Sequence, residues 1–425
     1  MELLLPKGTR DFKFNEEILR QRIIATIKKI FELHGFLPLE TPILERFEIL
    51  KAKYAGGAEI LKEVFKLRDQ GGRILGLRYD LTVPLARFIA INPTVKLPFK
   101  RYQFGPVFRD GPIRTGRYRQ FYQFDGDIIG VKNILAEVEL INIVKEVFKT
   151  LGIDVVVKVN NRKLLSSILK YSGVKEKYIE KTILAVDKLE KIGKKGVEKE
   201  LKAIGLENRV IKKLFWFLNK KGKDLIRILK DLMPENEGLK EIDSLFKYIK
   251  EKDVIFDASL ARGLVYYTGT IFEVFDKEGR IKSSLAAGGR YDEMIGKFVQ
   301  KNMEFPAVGV SFGIDVIFDL LRKNLPKLSI DVLVIPIKEY KEALEIAKKL
   351  RKNGINTDFA LSERSLSKNL EYANSLGIPY VIFVGKKELE KGKIKLKNML
   401  DGEERLITLE KAINILKKNR NISGS

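Results

Sequence analysis

The sequence predicts an α+β fold: a mostly antiparallel sheet flanked by helices, interrupted by a helical insertion and followed by a C-terminal α/β domain. Three observations carry that prediction. Short β-rich runs follow one another directly through the first third of the chain and again after residue 250; residues 171–250 switch to a Lys/Glu/Leu-rich pattern at helical spacing; and residues beyond 328 read strand, helix, strand, helix, strand. A length of 425 residues accommodates two or three domains, and 45% hydrophobic against 32% charged residues fits a globular chain.

In chain order, Asn15 is placed to cap a first helix whose apolar positions Leu19, Ile23, Ile27, Ile30 and Phe31 recur at helical spacing until Gly35 ends it. Strand-like runs follow at residues 36–39, 74–77, 102–108 and 120–129, separated by turn residues such as Gly71-Gly72. The helical stretch from 171 to 250 has weak breaks at Gly196, Gly205 and Gly222, and strands resume at residues 254–256, 270–275 and 307–312. The first domain is therefore expected to be discontinuous, residues 1–170 and 251–325 around an insertion at 171–250. Residues 328–425 form the last domain, with buried strands at 331–337 and 380–384 and a helix at 340–353 closed by Gly354.

Lys and Arg number 80 against 56 Asp and Glu, a net charge of +24 spread along the chain; a large polyanionic partner and a solvated, lysine-rich surface both fit it. The absence of cysteine excludes disulfides, thiolate zinc sites and cysteine nucleophiles. The single histidine, His34, falls at the end of the first helix and is read as favouring its terminus, so no metal site is expected. Residues 1–12 carry Glu2, Lys7, Arg10 and Asp11, and no apolar run reaches the length of a signal core or membrane span; a cytoplasmic protein with no membrane partner is expected.

No GxxxxGK[ST] phosphate loop occurs, since Gly385-Lys386 lacks the first glycine and the hydroxyl. The strongest cluster runs from residue 108 to 127 and reads as two strands around an arginine-rich loop. Alternation would put Arg117, Arg119, Phe121, Gln123, Asp125 and Asp127 on one face, cations at one end and carboxylates at the other, able to bind a zwitterion beside a phosphate chain. Arginine suits this because its rigid fork grips phosphate or carboxylate oxygens bidentately and stays charged. Taken alone, the same stretch fits a salt-bridged hairpin. A second cluster sets Asp80 and Thr82 two residues apart, on one side of an extended segment, where both could accept from an ammonium; a strand edge with a surface acid fits as well. A third joins Arg262, Gly263 and Gly269 with Tyr266 and Tyr267, and Gly288-Gly289-Arg290-Tyr291-Asp292 is a fourth, with glycines that permit close backbone approach. Glycine turns and tyrosine pairs also serve packing.

In this order the four clusters resemble the class II aminoacyl-tRNA synthetases, specifically the histidyl-tRNA synthetase family, along nearly the whole chain. Residues 6–12 (PKGTRDF) look like the family's opening, and Glu40-Thr41-Pro42 like the first class motif, whose proline lies at a dimer interface. Residues 109–127 are similar to the second motif, with the Gly-Arg-Tyr-Arg-Gln-Phe form of histidyl enzymes; residues 261–269 resemble the ARGLDYYTG signature, and 288–292 the second histidine-specific segment. The resemblance implies that Asp80, Thr82 and Gln123 hold the amino group of L-histidine and that Asp127 and Tyr267, with Tyr266, read its imidazole. It implies that Arg109 grips the α-phosphate of ATP, that Arg262 lies between α-phosphate and carboxylate, and that Arg117 assists on the nucleotide. It further implies Mg2+ entering with ATP as the substrate complex, no permanently bound cofactor, tRNA(His) as partner, a homodimer, and an anticodon-binding role for residues 330–420, where 363–368 match a segment near the RNA.

Two positions depart from the pattern. Val265 stands where the family usually has aspartate, and Val316 where the third class motif usually has the arginine that clamps the γ-phosphate; its absence implies either weakened ATP binding, with an arginine such as Arg114 or Arg117 compensating, or a paralogue that has given up aminoacylation. The alternative readings are a non-catalytic synthetase-like regulatory subunit, of the kind that partners ATP phosphoribosyltransferase, and an RNA-binding paralogue. The retained Asp80, Arg109, Gln123, Asp127, Arg262 and Tyr267 favour the enzyme.

Overall fold

The structure, a computed structural model, describes residues 2–52, 61–113, 116–262, 266–299, 305–326, 328–362 and 364–423. It divides into two compact units, one of residues 1–11 and 19–323, the other of residues 12–18 and 324–425.

The first unit is organised by an eight-stranded sheet in the order β1-β5-β6-β11-β10-β9-β7-β8. These strands are β1 (Leu37–Pro38), β5 (Phe99–Phe108), β6 (Gln120–Ile129), β7 (Val155–Asn161), β8 (Val254–Phe256), β9 (Thr270–Asp276), β10 (Ala286–Arg290) and β11 (Ala307–Gly313). Only the outermost pairs, β1 with β5 and β7 with β8, are parallel; the central five pairings are antiparallel, three of them (β5 with β6, β9 with β10, β10 with β11) between consecutive strands. A small three-stranded sheet of β2 (Leu44–Arg46), β4 (Ile74–Leu77) and β3 (Lys66–Arg68) lies beside it in the sequence.

Directly opposed residues of an antiparallel pair point to the same side, so the registers define two unlike faces. On one face Phe104, Phe124, Phe312, Ala286 and Val274 form a transverse row, and Tyr102, Gly126, Val310, Gly288 and Phe272 the next. Phe31 of the first helix packs on Phe124 and Phe312, with centroids 5.3 and 6.0 Å apart, directly over Gly126, where any Cβ would strike its ring. The other face carries Arg101, Asp127, Gly309, Gly289 and Ile271 in one row and Gln103, Asp125, Ser311, Ala287 and Glu273 in the next. One face is the apolar core; the opposite face is polar and floored with small residues.

The first helix runs Phe14–Leu33 and buries the five apolar positions read from the sequence. It starts one residue before Asn15, which is thus not its cap: the Glu16 carboxylate accepts the Lys13 N–H at 3.0 Å and closes the helix start instead. Between β7 and β8 the chain is helical, in six α-helices from Arg162–Ser172 to Glu237–Tyr248 and one short 3-10 helix, Glu176–Tyr178; their inward positions include Leu214, Phe217, Leu229 and Leu245.

In the second unit, β12 (Val332–Ile337) pairs in parallel with β13 (Thr357–Phe359) and β14 (Tyr380–Gly385), and β15 (Ile394–Asn398) and β16 (Glu404–Ile407) extend the sheet antiparallel. Alternate residues of the buried strands feed two cores: Val332, Val334 and Ile382 pack with Ala347 and Leu350, while Leu333, Ile335 and Phe383 pack with Ala373 and Ile378. Both faces are covered, which explains why these strands read as continuous apolar runs. Among the described residues no helix is long and apolar enough to cross a membrane.

Candidate active site

The polar face of the large sheet gathers charge that a solvent-exposed sheet would not need to bury. Asp127, on β6, is 3% exposed; the guanidinium of Arg101, 0% exposed on neighbouring β5, sits 2.7 Å from its Oδ2, and the Tyr291 hydroxyl donates to its Oδ1. Gly309 lies opposite on β11, and any Cβ there would overlap the Asp127 carboxylate. Arg101 also donates to the Leu81 carbonyl at 3.3 Å, tying the segment that carries Asp80 to the sheet.

Two residues earlier on the same face, burial pushes the Asp125 carboxyl up to about 7, with Arg101 drawing it down and Asp127 and Asp80 adding to the rise. The same surroundings, with burial first, hold the Tyr291 hydroxyl well above its ordinary value, so it stays a donor. Several buried polar atoms here have no hydrogen-bond partner among the described residues: Gln123 Oε1, Arg101 Nε and Nη1, and Arg262 Nε. Unmatched buried polar atoms cost roughly 1–3 kcal/mol each unless something fills them, and their concentration on one sheet face marks it as a place for a polar ligand.

Arg262 reaches this face from the segment after β8. Its guanidinium pairs with Glu273 of β9 and lies 5.8 Å from the centroid of the Tyr267 ring. Tyr267 stands against Gly289, where a Cβ would be 2.9 Å from two ring carbons, and the Tyr266 and Tyr267 hydroxyls are 3.5 Å apart. At the far end of β6, Arg109 donates through Nε to the Tyr79 carbonyl at 3.0 Å and lies over the Phe121 ring at 5.1 Å.

Two expectations need correcting. Asp80 and Thr82 are not side by side on an extended segment: Thr82 opens the helix Thr82–Ile91, and Asp80 Oδ1 accepts the Val83 N–H at 3.0 Å, because a short acid before a helix satisfies its free N–H groups better than an extended chain would. Arg117 and Arg119 do not continue the β6 face, because the strand begins at Gln120; Arg117 pairs with Glu63 at 2.8 Å and Arg119 with Asp110 at 3.2 Å. Of the predicted set, the structure brings Asp80, Gln123, Asp127, Arg262 and Tyr267, with Tyr266 beside it, to one sheet face, and sets Arg109 at its end and Arg117 at the rim. Gly263, Val265, Arg114 and Glu363 lie outside the described residues.

Sequence reasoning missed Arg101, Glu273 and Gly309, and placed Tyr291 in the fourth cluster without a role of its own. Glu273 stands between Ile271-Phe272 and Val274-Phe275, a lone charge in an apolar run that could have flagged it; Arg101, with Lys100 beside it and Gln103 two residues on, and Gly309 carried no such signal. Arg290, inside the fourth cluster, faces away from the site and makes a buried ion pair with Glu137, Nε to Oε1 at 2.7 Å and Nη2 to Oε2 at 2.6 Å.

Comparison with known proteins follows the same division. The sequence pattern described as histidyl-tRNA synthetase matches residues 8–317, and that described as anticodon binding domain matches residues 331–419. Histidine-tRNA ligase 1 of Bacillus cereus is 42% identical over 98% of this chain and 100% of its own length. The crystal structure of histidyl-tRNA synthetase from Nostoc superposes with a TM-score of 0.85 at 29% identity, covering 99% of this chain and 100% of that one. A Bacillus halodurans protein described as an ATP phosphoribosyltransferase regulatory subunit/histidyl-tRNA synthetase shares the fold, with a TM-score of 0.76 at 24% identity over 90% of this chain and 98% of that one.

Proposed function

The chain belongs to the histidyl-tRNA synthetase family, and from that premise we propose how its residues divide the work. The reaction is the ATP-dependent activation of L-histidine and its transfer to the 3′ end of tRNA(His). A carboxylate oxygen of histidine attacks the α-phosphorus, the bond to pyrophosphate breaks, and a ribose hydroxyl of the terminal adenosine then takes the histidyl group as AMP leaves. ATP enters with Mg2+ as the substrate complex.

In our reading Asp127 and Tyr267 recognise the imidazole, with Tyr266 behind them, while Asp80, Thr82 and Gln123 receive the α-ammonium. Specificity by hydrogen bonds rejects other amino acids far better than an apolar slot, because a wrong side chain leaves buried polar groups unpaired. Arg109 and Arg262 hold the α-phosphate from opposite ends of the face and stabilise the charge of the pentacoordinate transition state, and Arg117 steadies the nucleotide from the rim. Neither catalytic arginine needs to move a proton. The observation that carries this reading is the burial of Arg101, Asp127 and Tyr291 as one network beside the unmatched Gln123 Oε1 and Arg262 Nε.

Residues 1–170 and 251–325 are taken as the catalytic domain, 171–250 as the helical insertion and 328–425 as the anticodon-binding domain. The enzyme is read as a cytoplasmic homodimer: beside the Glu40-Thr41-Pro42 motif, Leu37, Ile43, Leu44, Leu67 and Ile74 are exposed around the sheet edge, an apolar group suited to a second copy. Histidine-dependent exchange of pyrophosphate into ATP, measured without tRNA, tests the assignment. Exchange that requires histidine and is lost in Arg262→Ala supports it; exchange undiminished in that variant removes Arg262 from the chemistry.

A further inference from the structure

We propose that Glu273 is a positioning residue for adenylate formation, acting by fixing the guanidinium of Arg262 over the polar sheet face. The inference rests on the reading of Arg262 given above.

Arg262 belongs to a segment without regular secondary structure, so its backbone alone does not aim a long, flexible side chain. Nor does the segment supply its own counter-ion. Between Asp257 and Glu273 the sequence contains no acidic residue, and Asp257 is engaged by the Ser259 N–H at 3.0 Å and the Lys221 ammonium at 2.9 Å. The carboxylate that meets Arg262 comes instead from the middle of β9, a strand held on both sides by β7 and β10. Lys158 lies directly opposite Glu273 on β7 but reaches away to Glu190, which leaves Glu273 to Arg262.

The contact engages one nitrogen of the guanidinium, Nη1, while Nε is buried with no hydrogen-bond partner among the described residues. With the Tyr267 ring 5.8 Å away, the group is held by a charge and an aromatic ring and keeps donor capacity for oxygens of the ligand. Two effects of Glu273 oppose each other: it orders the arginine and it partly neutralises it. Ordering wins if the arginine must meet developing charge at one position, because misplacement of about 1 Å costs on the order of 100-fold in rate.

The two effects predict opposite outcomes for Glu273→Gln, which keeps an acceptor oxygen and removes the charge. Pyrophosphate exchange by the full-length protein is expected to show kcat lowered about tenfold in Glu273→Gln and about 100-fold in Glu273→Ala, with the histidine KM changed less than threefold. In an Arg262→Lys background, Glu273→Gln should change kcat less than twofold, because its effect passes through the arginine. A Glu273→Gln enzyme as fast as the parent or faster overturns the proposal, as does the same loss in both backgrounds. If Arg262→Ala itself leaves exchange intact, the reading of Arg262 fails. If Arg262→Ala abolishes exchange while Glu273→Gln does nothing, only the positioning role fails.

Discussion

Gly309 and Asp127 oppose each other on adjacent strands with no room between them for a side chain: a Cβ on Gly309 would overlap the Asp127 carboxylate. The glycine lets a carboxylate lie flat on the sheet between Arg101 and Tyr291. If Asp127 reads the imidazole, Gly309→Ala pushes the reader out of place without touching the nucleotide. The histidine KM in pyrophosphate exchange should rise at least about tenfold, with the ATP KM within about twofold. Equal rises in both would mean that Asp127 does not face the amino acid.

Asp125 gives the site a pH signature. Its carboxyl is held up at about 7 by burial, against about 3.9 in an unfolded chain. Between those values the folded protein keeps a proton that the unfolded chain has lost, so this group's contribution to stability falls as pH rises through roughly 4 to 7. Asp125→Asn removes the titration. Relative to the parent, the variant should gain stability between pH 4 and pH 8, by on the order of 4 kcal/mol at most. Chemical denaturation at both pH values checks this, and a difference that does not change with pH would contradict it.

Arg290 and Glu137 form a two-bonded ion pair with side chains 7% and 1% exposed, pinning the end of β10 to the helix Leu135–Thr150. Breaking it from one side strands a buried charge, so Arg290→Leu should destabilise the protein by about 3–5 kcal/mol. Adding Glu137→Leu should restore much of that loss. A double variant no better than the single one would show that packing, not charge, fixes this corner.

These relationships divide into those written along the chain and those written across it. The strand Gln120–Ile129 and the five buried positions of the first helix were legible, because each is a periodic pattern within one element. The strand at Ala286–Arg290 was not: Ala-Ala-Gly-Gly-Arg has no β signature, and it is a strand because β9 and β11 supply hydrogen bonds on both sides. Thr82 was misplaced for a related reason, since the capping bond from Asp80 to Val83 overrides an extended reading of the same residues. In the site, motif residues were readable but their supports were not. Arg101 meets Asp127, and Arg262 meets Glu273, only through strand register and the docking of a loop.

The spread of +24 net charge without a basic tail bears on the RNA partner. If contacts are distributed over several phosphates, tRNA affinity should fall roughly 100-fold or more between 50 and 200 mM salt. Filter binding across that range measures it, and a flat profile would rule out phosphate contacts as the main source of affinity.

Val316 is the departure with the clearest consequence. It sits in the first turn of the helix Ile314–Leu321, 9% exposed, with its Cγ2 methyl beside Gly313 and Gly116 of the arginine-rich loop. Its neighbour Asp315 is fully occupied, receiving Arg10 at 2.7 Å and the Tyr122 N–H at 2.6 Å, so the turn is rigid even though it offers no cation. An arginine placed here would start from an ordered backbone at a helix N-terminus, where anions are favoured. A charge-assisted hydrogen bond contributes about 1.5–3 kcal/mol when dry and less at a rim open to water, so about 1 kcal/mol is a fair expectation. Val316→Arg should then lower the ATP KM roughly fivefold and leave the histidine KM alone. An ATP KM that stays put would mean the triphosphate end is already held, with Arg117 a candidate once it leaves Glu63; Glu63→Gln, which frees Arg117, should in that case lower the ATP KM by itself.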